Sequence, residues 1–160
     1  MPKKNMGLDY ALVRYHRIGS PTDADRVQKD RPVECALCHA DKTVASLITT
    51  MEKWWNKKYD RTALEGLYGN LDTNAIRATL FRGKPHEQAV AMMSLTSATG
   101  AKVPGALAAI APHMAHEYPL VRFFAHRALE EITGQKIDID VNKSAAELRP
   151  LIDAWLASQR

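Results

Sequence analysis

Pro119-Leu120-Val121-Arg122-Phe123-Phe124-Ala125-His126-Arg127-Ala128-Leu129-Glu130-Glu131-Ile132-Thr133-Gly134 is the stretch whose reading decides the fold. Moved back by 34 positions it lies over a second copy of its own punctuation. Pro119 falls on Pro85, Ala125 on Ala91, Leu129 on Leu95, Thr133 on Thr99 and Gly134 on Gly100. Each proline sits where the first turn of a helix tolerates a missing N–H, and each glycine where a left-handed cap would end it. The matched alanines and leucines share a face, so the two helices are expected to pack through it. The stretches that follow, Val103–His116 and Ser144–Ser158, also share a register, with Leu107, Ile110 and Met114 corresponding to Leu148, Leu151 and Trp155. Residues 60–82 form a weaker preceding pair, with Leu64, Leu67 and Tyr68, then Ile76, Leu80 and Phe81. Helix pairs at such a period predict a short α-solenoid, in which each unit buries its apolar side only against its neighbours.

Upstream the pattern changes. Val44, Leu47, Ile48, Met51 and Trp55 recur at spacings of three and four, which predicts an amphipathic helix over Thr43–Asn56. Trp54 lies beside that stripe. Residues 1–34 are rich in charge and turn formers, notably Gly19-Ser20-Pro21-Thr22-Asp23 and Asp30-Arg31-Pro32, and read as an extended arm with one helical turn near Asp23. The one alternating stretch, Lys136–Val141, reads as a loop or an isolated extended piece. The expected fold class is all-α, divided into a segment over 1–58 and helical repeats over 59–160.

Between arm and helix lies Cys35-Ala36-Leu37-Cys38-His39, which contains both cysteines of the chain. This spacing is that of c-type haem attachment. Two thiols separated by two residues can meet the two vinyl groups on one edge of a porphyrin, and the adjacent imidazole then lies under the ring as the proximal iron ligand. Cys35 and Cys38 are therefore the expected thioether positions and His39 the expected iron ligand, one covalent haem per chain. Two other readings compete. A redox dithiol expects a βαβ setting, whereas the flanks here are helical. A zinc site needs a second pair of Cys or His ligands, and none stands nearby in the sequence.

Composition narrows the function classes. The formal charge is +4, and residues 1–82 carry 14 Lys and Arg against 10 Asp and Glu. That surplus lacks the dense basic stripe of a nucleic-acid binder, so no nucleic-acid partner is expected. No run of apolar residues reaches membrane-spanning length. Haem is attached to such motifs outside the cytoplasm, so a periplasmic or otherwise exported protein is expected. The first ten residues carry no apolar stretch of the export-signal kind, and the chain reads as a mature or excised part of a longer one. No nucleophile elbow, phosphate-binding glycine loop or His-Glu metal pair is present, and no enzymatic activity is expected.

The segment Tyr118–Leu129 resembles the first helix of a HEAT repeat, whose pattern is Pro, then Val-Arg, then Ala and Leu. The chain as a whole resembles the C-terminal part of a family of multihaem c-type cytochromes that end in HEAT-like repeats. The residues carrying that likeness are Tyr15-His16-Arg17-Ile18-Gly19-Ser20-Pro21, then Arg31-Pro32-Val33-Glu34-Cys35-Ala36-Leu37-Cys38-His39-Ala40-Asp41, then Trp54-Trp55. The resemblance implies that His16 is a distal haem ligand, for this haem or for another further upstream in a longer protein. It departs from the family in having a single CxxCH. With no neighbouring haem, His16 closes most simply on the iron held by His39, and the 18 residues between His16 and Cys35 leave ample slack for it.

The remaining histidines are weaker candidates. His126 shares a polar stripe with Arg122 and Glu130, His113 and His116 lie on a small-residue face with Ala106 and Ala109, and His86 opens its helix. Met51, Met92, Met93 and Met114 fall mainly on apolar stripes, where a core role outranks sulfur ligation. Trp54 has two readings, packing on the porphyrin edge or filling a half-buried core position. Bis-histidine iron is six-coordinate and suits electron transfer, with redox proteins or neighbouring haem domains as partners. The competing reading is a HEAT-type interaction scaffold with structural haem or none. A five-coordinate haem sensor is the third.

Overall fold

The computed structural model describes residues 3–7, 9–14 and 20–159, and is mostly helical with one small sheet. Strands β1 (Lys3–Met6) and β2 (Leu12–Arg14) pair antiparallel, with Met6 opposite Leu12 and Lys3 opposite Arg14 across an irregular register. Eight helices follow among the described residues: α1 (Ala24–Lys29), α2 (Val44–Trp55), α3 (Arg61–Tyr68), α4 (Ala75–Arg82), α5 (Pro85–Ser94), α6 (Ala106–Ile110), α7 (Pro119–Thr133) and α8 (Ala145–Ser158). Tight 3-10 turns cover Glu34–Leu37, Gly100–Lys102 and Ala111–Ala115. No helix among the described residues is long and apolar enough to cross a membrane.

The hairpin adds a small sheet to the extended arm, with its one helical turn, expected over residues 1–34. Its strands are only four and three residues long, too short to produce an alternating signal, and Leu12 of β2 is buried. Tyr10 at its tip lies 5.8 Å, ring to ring, from Phe123 of α7. The helical turn expected near Asp23 is α1, capped by the Asp23 carboxylate on the Arg26 N–H. Helix α2 has the expected limits, with Thr43 capping its start and Asn56 closing its end in the left-handed conformation.

Proline and glycine set the ends of the two repeated helices, but not symmetrically. Pro85 and Pro119 both occupy the first turn, and Gly134 (φ 68°) ends α7 as a left-handed cap. Helix α5 stops earlier, at Leu95, so Gly100 is no cap. It lies in a 3-10 turn folded back on Leu95, where an added Cβ would come within 2.4 Å of the Leu95 Cα. Close approach, not left-handed backbone, requires this glycine. The helix expected over Val103–His116 is likewise shortened, because Pro112 removes an N–H and the chain tightens into the Ala111–Ala115 turn.

One apolar core runs from Leu12 to Ile152. Helix α5 packs on α7 and α4, and the Ala111–Ala115 turn packs on α7 and α8. Ala91, Leu95, Ala125 and Leu129, the repeat-matched alanines and leucines, are fully buried, as are Phe124, Met92 and Met114. Each large side chain so buried contributes about 1.5–3 kcal/mol from removal of apolar surface alone. The register expected for α8 is not the observed one. Leu148 and Ile152 are its buried residues, while Leu151 is 41% exposed. The buried stripe of α8 thus narrows to a spacing of four.

The polar stripe of α7 does more than face water. Arg122 donates to the carbonyls of Val141 (3.1 Å), Lys143 (2.7 Å) and His116. His126 is half-buried with Nε2 at 2.9 Å from the Ile137 carbonyl, and Glu130 accepts the Ile137 N–H at 2.9 Å. One helix face thus holds the irregular 137–143 segment, whose Ile137 is buried. The surface role expected of His126 is replaced by this tether.

Candidate functional site

Residues 31–42 form a turn with a buried back and an open front. Glu34–Leu37 is a 3-10 turn, in which side chains three apart lie nearly over one another, so Cys35 and Cys38 emerge on one side. The chain closes with the Cys38 and His39 N–H groups both donating to the Cys35 carbonyl, at 3.2 and 2.9 Å. Ala36, Leu37 and Ala40 are buried behind it. Cys35 is half-buried, while Cys38 and His39 are exposed, and the His39 imidazole makes no hydrogen bond among the described residues.

The turn is fastened from behind by residues far away in sequence. Arg31 forms a buried ion pair with Glu87 of α5 (Nε to Oε2, 3.1 Å), gives its backbone N–H to the other Glu87 oxygen, and donates to the Leu67 carbonyl at 2.6 Å. The Val33 N–H donates to the Tyr68 hydroxyl at 2.9 Å, and burial pushes that phenol well above its ordinary pKa. Asn74, which caps α4, also donates from Nδ2 to the Ala40 carbonyl at 2.7 Å. Thr99 Oγ1 donates to the Cys38 carbonyl at 2.7 Å. The backbone of Lys42–Ala45 is paired with Leu71, Thr73 and Ala75. None of these partners is visible in the CxxCH motif. Only Asn74, standing before an apolar helix start, had a readable role as a cap, and its second bond had none.

His16 lies outside the described residues. Trp54 and Trp55 are neither core nor covered. They are 70% and 46% exposed and touch edge to face, 5.6 Å between ring centres. Trp55 therefore leaves the apolar stripe of α2, whose buried members are Val44, Leu47, Ile48 and Met51. His113 is tied at Nε2 to the Leu80 carbonyl (3.1 Å), and burial, with His116 beside it, pushes its pKa down to about 4. Met51, Met92 and Met114 are buried core residues.

The chemistry of the turn discriminates between its possible uses. Burial, then the adjacent Glu34 charge, pushes the Cys35 thiol up. A redox dithiol depends on the opposite shift. Asp30, His86 and Glu87 form the one group of potential metal ligands among the described residues, and neither cysteine belongs to it. Its carboxylates are already engaged, Asp30 by Lys4 at 2.7 Å and Glu87 by Arg31 and the Lys84 N–H. A haem c asks for two thiols on one side of a turn and an adjacent imidazole without an internal partner, and the donor set of Cys35, Cys38 and His39 fits that requirement. Compared with known proteins, the chain matches no family model, no curated protein and no solved structure.

Proposed function

We propose that this chain is an exported electron-transfer module carrying one covalent haem c on a short HEAT-like helical scaffold. Cys35 and Cys38 would hold the haem through thioethers, His39 would bind the iron from the proximal side, and His16 would be the distal ligand. When bound, the haem supplies a one-electron couple. The chain's own residues fix the attachment turn, keep both sulfurs on one side and leave the imidazole open. The observation that carries this reading is the turn itself, clamped behind by Arg31, Asn74, Tyr68 and Thr99 while its front is free. A clamped backbone would fix the point from which His39 reaches the iron.

Support for His16 comes from chain length and from the described residues that follow it. Arg26 donates to the Ser20 carbonyl and pairs with Glu34, the residue before Cys35. From Ser20 back to His16 the chain spans at most about 14 Å. The partners on this reading are redox proteins or neighbouring haem domains of a longer chain.

Expression in a host that matures cytochromes c tests the proposal. A mass increased by one haem, with a low-spin spectrum that survives acid-acetone extraction, is expected, and Cys35→Ala/Cys38→Ala should abolish attachment. His16→Ala should turn the ferric spectrum high-spin or exchange-labile, and an unchanged low-spin spectrum removes His16 from the site. A protein of bare polypeptide mass from that host overturns the electron-transfer reading. It would leave an interaction scaffold, which the exposed Trp54–Trp55 pair favours as the second reading.

A further inference from the structure

Lys53-Trp54-Trp55-Asn56-Lys57-Lys58, at the end of α2, is a run of six consecutive exposed residues. It is held firmly on both sides. Met51 before it and Tyr59 after it are buried. The Tyr59 hydroxyl donates to the Thr22 carbonyl at 2.8 Å, and the Tyr59 N–H donates to the Glu52 carboxylate at 3.1 Å. Asn56, in the left-handed conformation, and Lys57 both give their N–H groups to the Glu52 carbonyl. Two indoles in edge-to-face contact thus stand exposed on a fixed turn.

Single exposed apolar residues are ordinary in a folded protein, but two touching tryptophans form a patch. Three lysines flank them, and none of the three makes an ion pair among the described residues. The carboxylates nearest in sequence are engaged, Glu52 by Arg61 at 2.6 Å and Asp60 by the N–H groups of Thr62 and Ala63. Residues 52–61 hold four cations against these two carboxylates. The helix dipole accounts for Lys53, in the last turn, but not for Lys57 and Lys58 beyond the cap. Indole rings settle at the headgroup level of a bilayer, where lysine stems lie along apolar surface with the ammonium turned to anionic headgroups. Protein interfaces also take up tryptophan, but they are depleted in lysine, and every uncompensated cation here is a lysine. The side-chain set therefore favours acidic lipid over an acidic protein.

We infer that the end of α2 docks the protein on the surface of an anionic bilayer, with Trp54 and Trp55 entering the headgroup layer and Lys53, Lys57 and Lys58 facing acidic headgroups. The apolar stripe of α2 is buried in the protein, so the attachment is peripheral and reversible. The inference does not rest on the haem. The full chain, with or without haem, is sedimented with vesicles of mixed phosphatidylglycerol and phosphatidylcholine and with vesicles of phosphatidylcholine alone, and is titrated separately with polyglutamate. Binding to the anionic vesicles is expected, weakening as salt rises, with protection from hydrogen exchange gathered at residues 53–58. Trp54→Ala/Trp55→Ala should weaken it at least about tenfold, and each of Lys53→Gln, Lys57→Gln and Lys58→Gln about fivefold. Phe81→Ala, which removes an exposed aromatic ring from α4, should leave it unchanged. Overturning results are no sedimentation with the anionic vesicles, equal affinity for the two vesicle types, or parent affinity in the double tryptophan variant. Tighter binding of polyglutamate than of vesicles also overturns it and assigns the patch to an acidic protein.

Discussion

The segment 31–45 and the helices α5 and α7 are held by different physics. The helices meet through alanines and leucines at matched positions, all fully buried, and their contact is apolar. The motif segment adds to its own buried apolar residues a set of directional bonds to partners between residues 67 and 99. Apolar packing tolerates exchange of one side chain for another of like volume. Directional bonds to a fixed turn do not. The CxxCH segment is thus anchored by hydrogen bonds, and the helical body that carries it by packing.

The largest effect that would test this contrast is at the buried pair. Glu87→Ala leaves the Arg31 guanidinium buried without its counter-charge and should cost about 3–5 kcal/mol. The double variant Arg31→Met/Glu87→Met should recover most of that loss in urea unfolding. If the double variant is no more stable than Glu87→Ala, the Arg31 bonds to the backbone matter more than the charge pair.

How much of this was readable beforehand follows the same division. The helices of the repeat were legible because apolar residues at helical spacing, with proline before them, report a local rule. The limits of α2 came from Thr43 and the apolar stripe in the same way. The CxxCH motif was legible as a set of donors. The bonds holding it were not, since nothing near Cys38 in the sequence points to Thr99, 61 residues on. Gly100 misled because glycine serves both caps and close contacts, and only packing separates them. Trp55 misled because the stripe of α2 runs beyond the part that its neighbours cover, and Leu151 on α8 did so for the same reason.

A smaller effect sharpens the comparison at a single bond. Thr99→Val keeps the shape and removes the hydroxyl from the Cys38 carbonyl, and should cost about 1 kcal/mol. Thr99→Ser should restore it, with stability by urea unfolding and hydrogen exchange at Cys38 and His39 as the readouts.

An effect that depends on pH belongs to the helical body, which also has a polar bond. His113 has a folded-state pKa of about 4, below its ordinary 6.5, so the folded state binds fewer protons than the unfolded one between those values. Stability should therefore be full above pH 6.5 and fall as the pH drops toward 4. His113→Gln, which can still donate to the Leu80 carbonyl, should flatten that fall in a series of melts across this range. An unchanged slope would place the acid sensitivity elsewhere.

Gly100 touches none of the three groups at the front of the motif, yet it governs how one of them is held. With a methyl group there, the chain after α5 would be pushed off Leu95, and the neighbouring threonine would lose its line to the Cys38 carbonyl. A loop position with no side chain thus acts as the setscrew of the turn that carries the two cysteines. Tolerance to substitution should collapse at residue 100, though no survey of donors and ligands would have marked it.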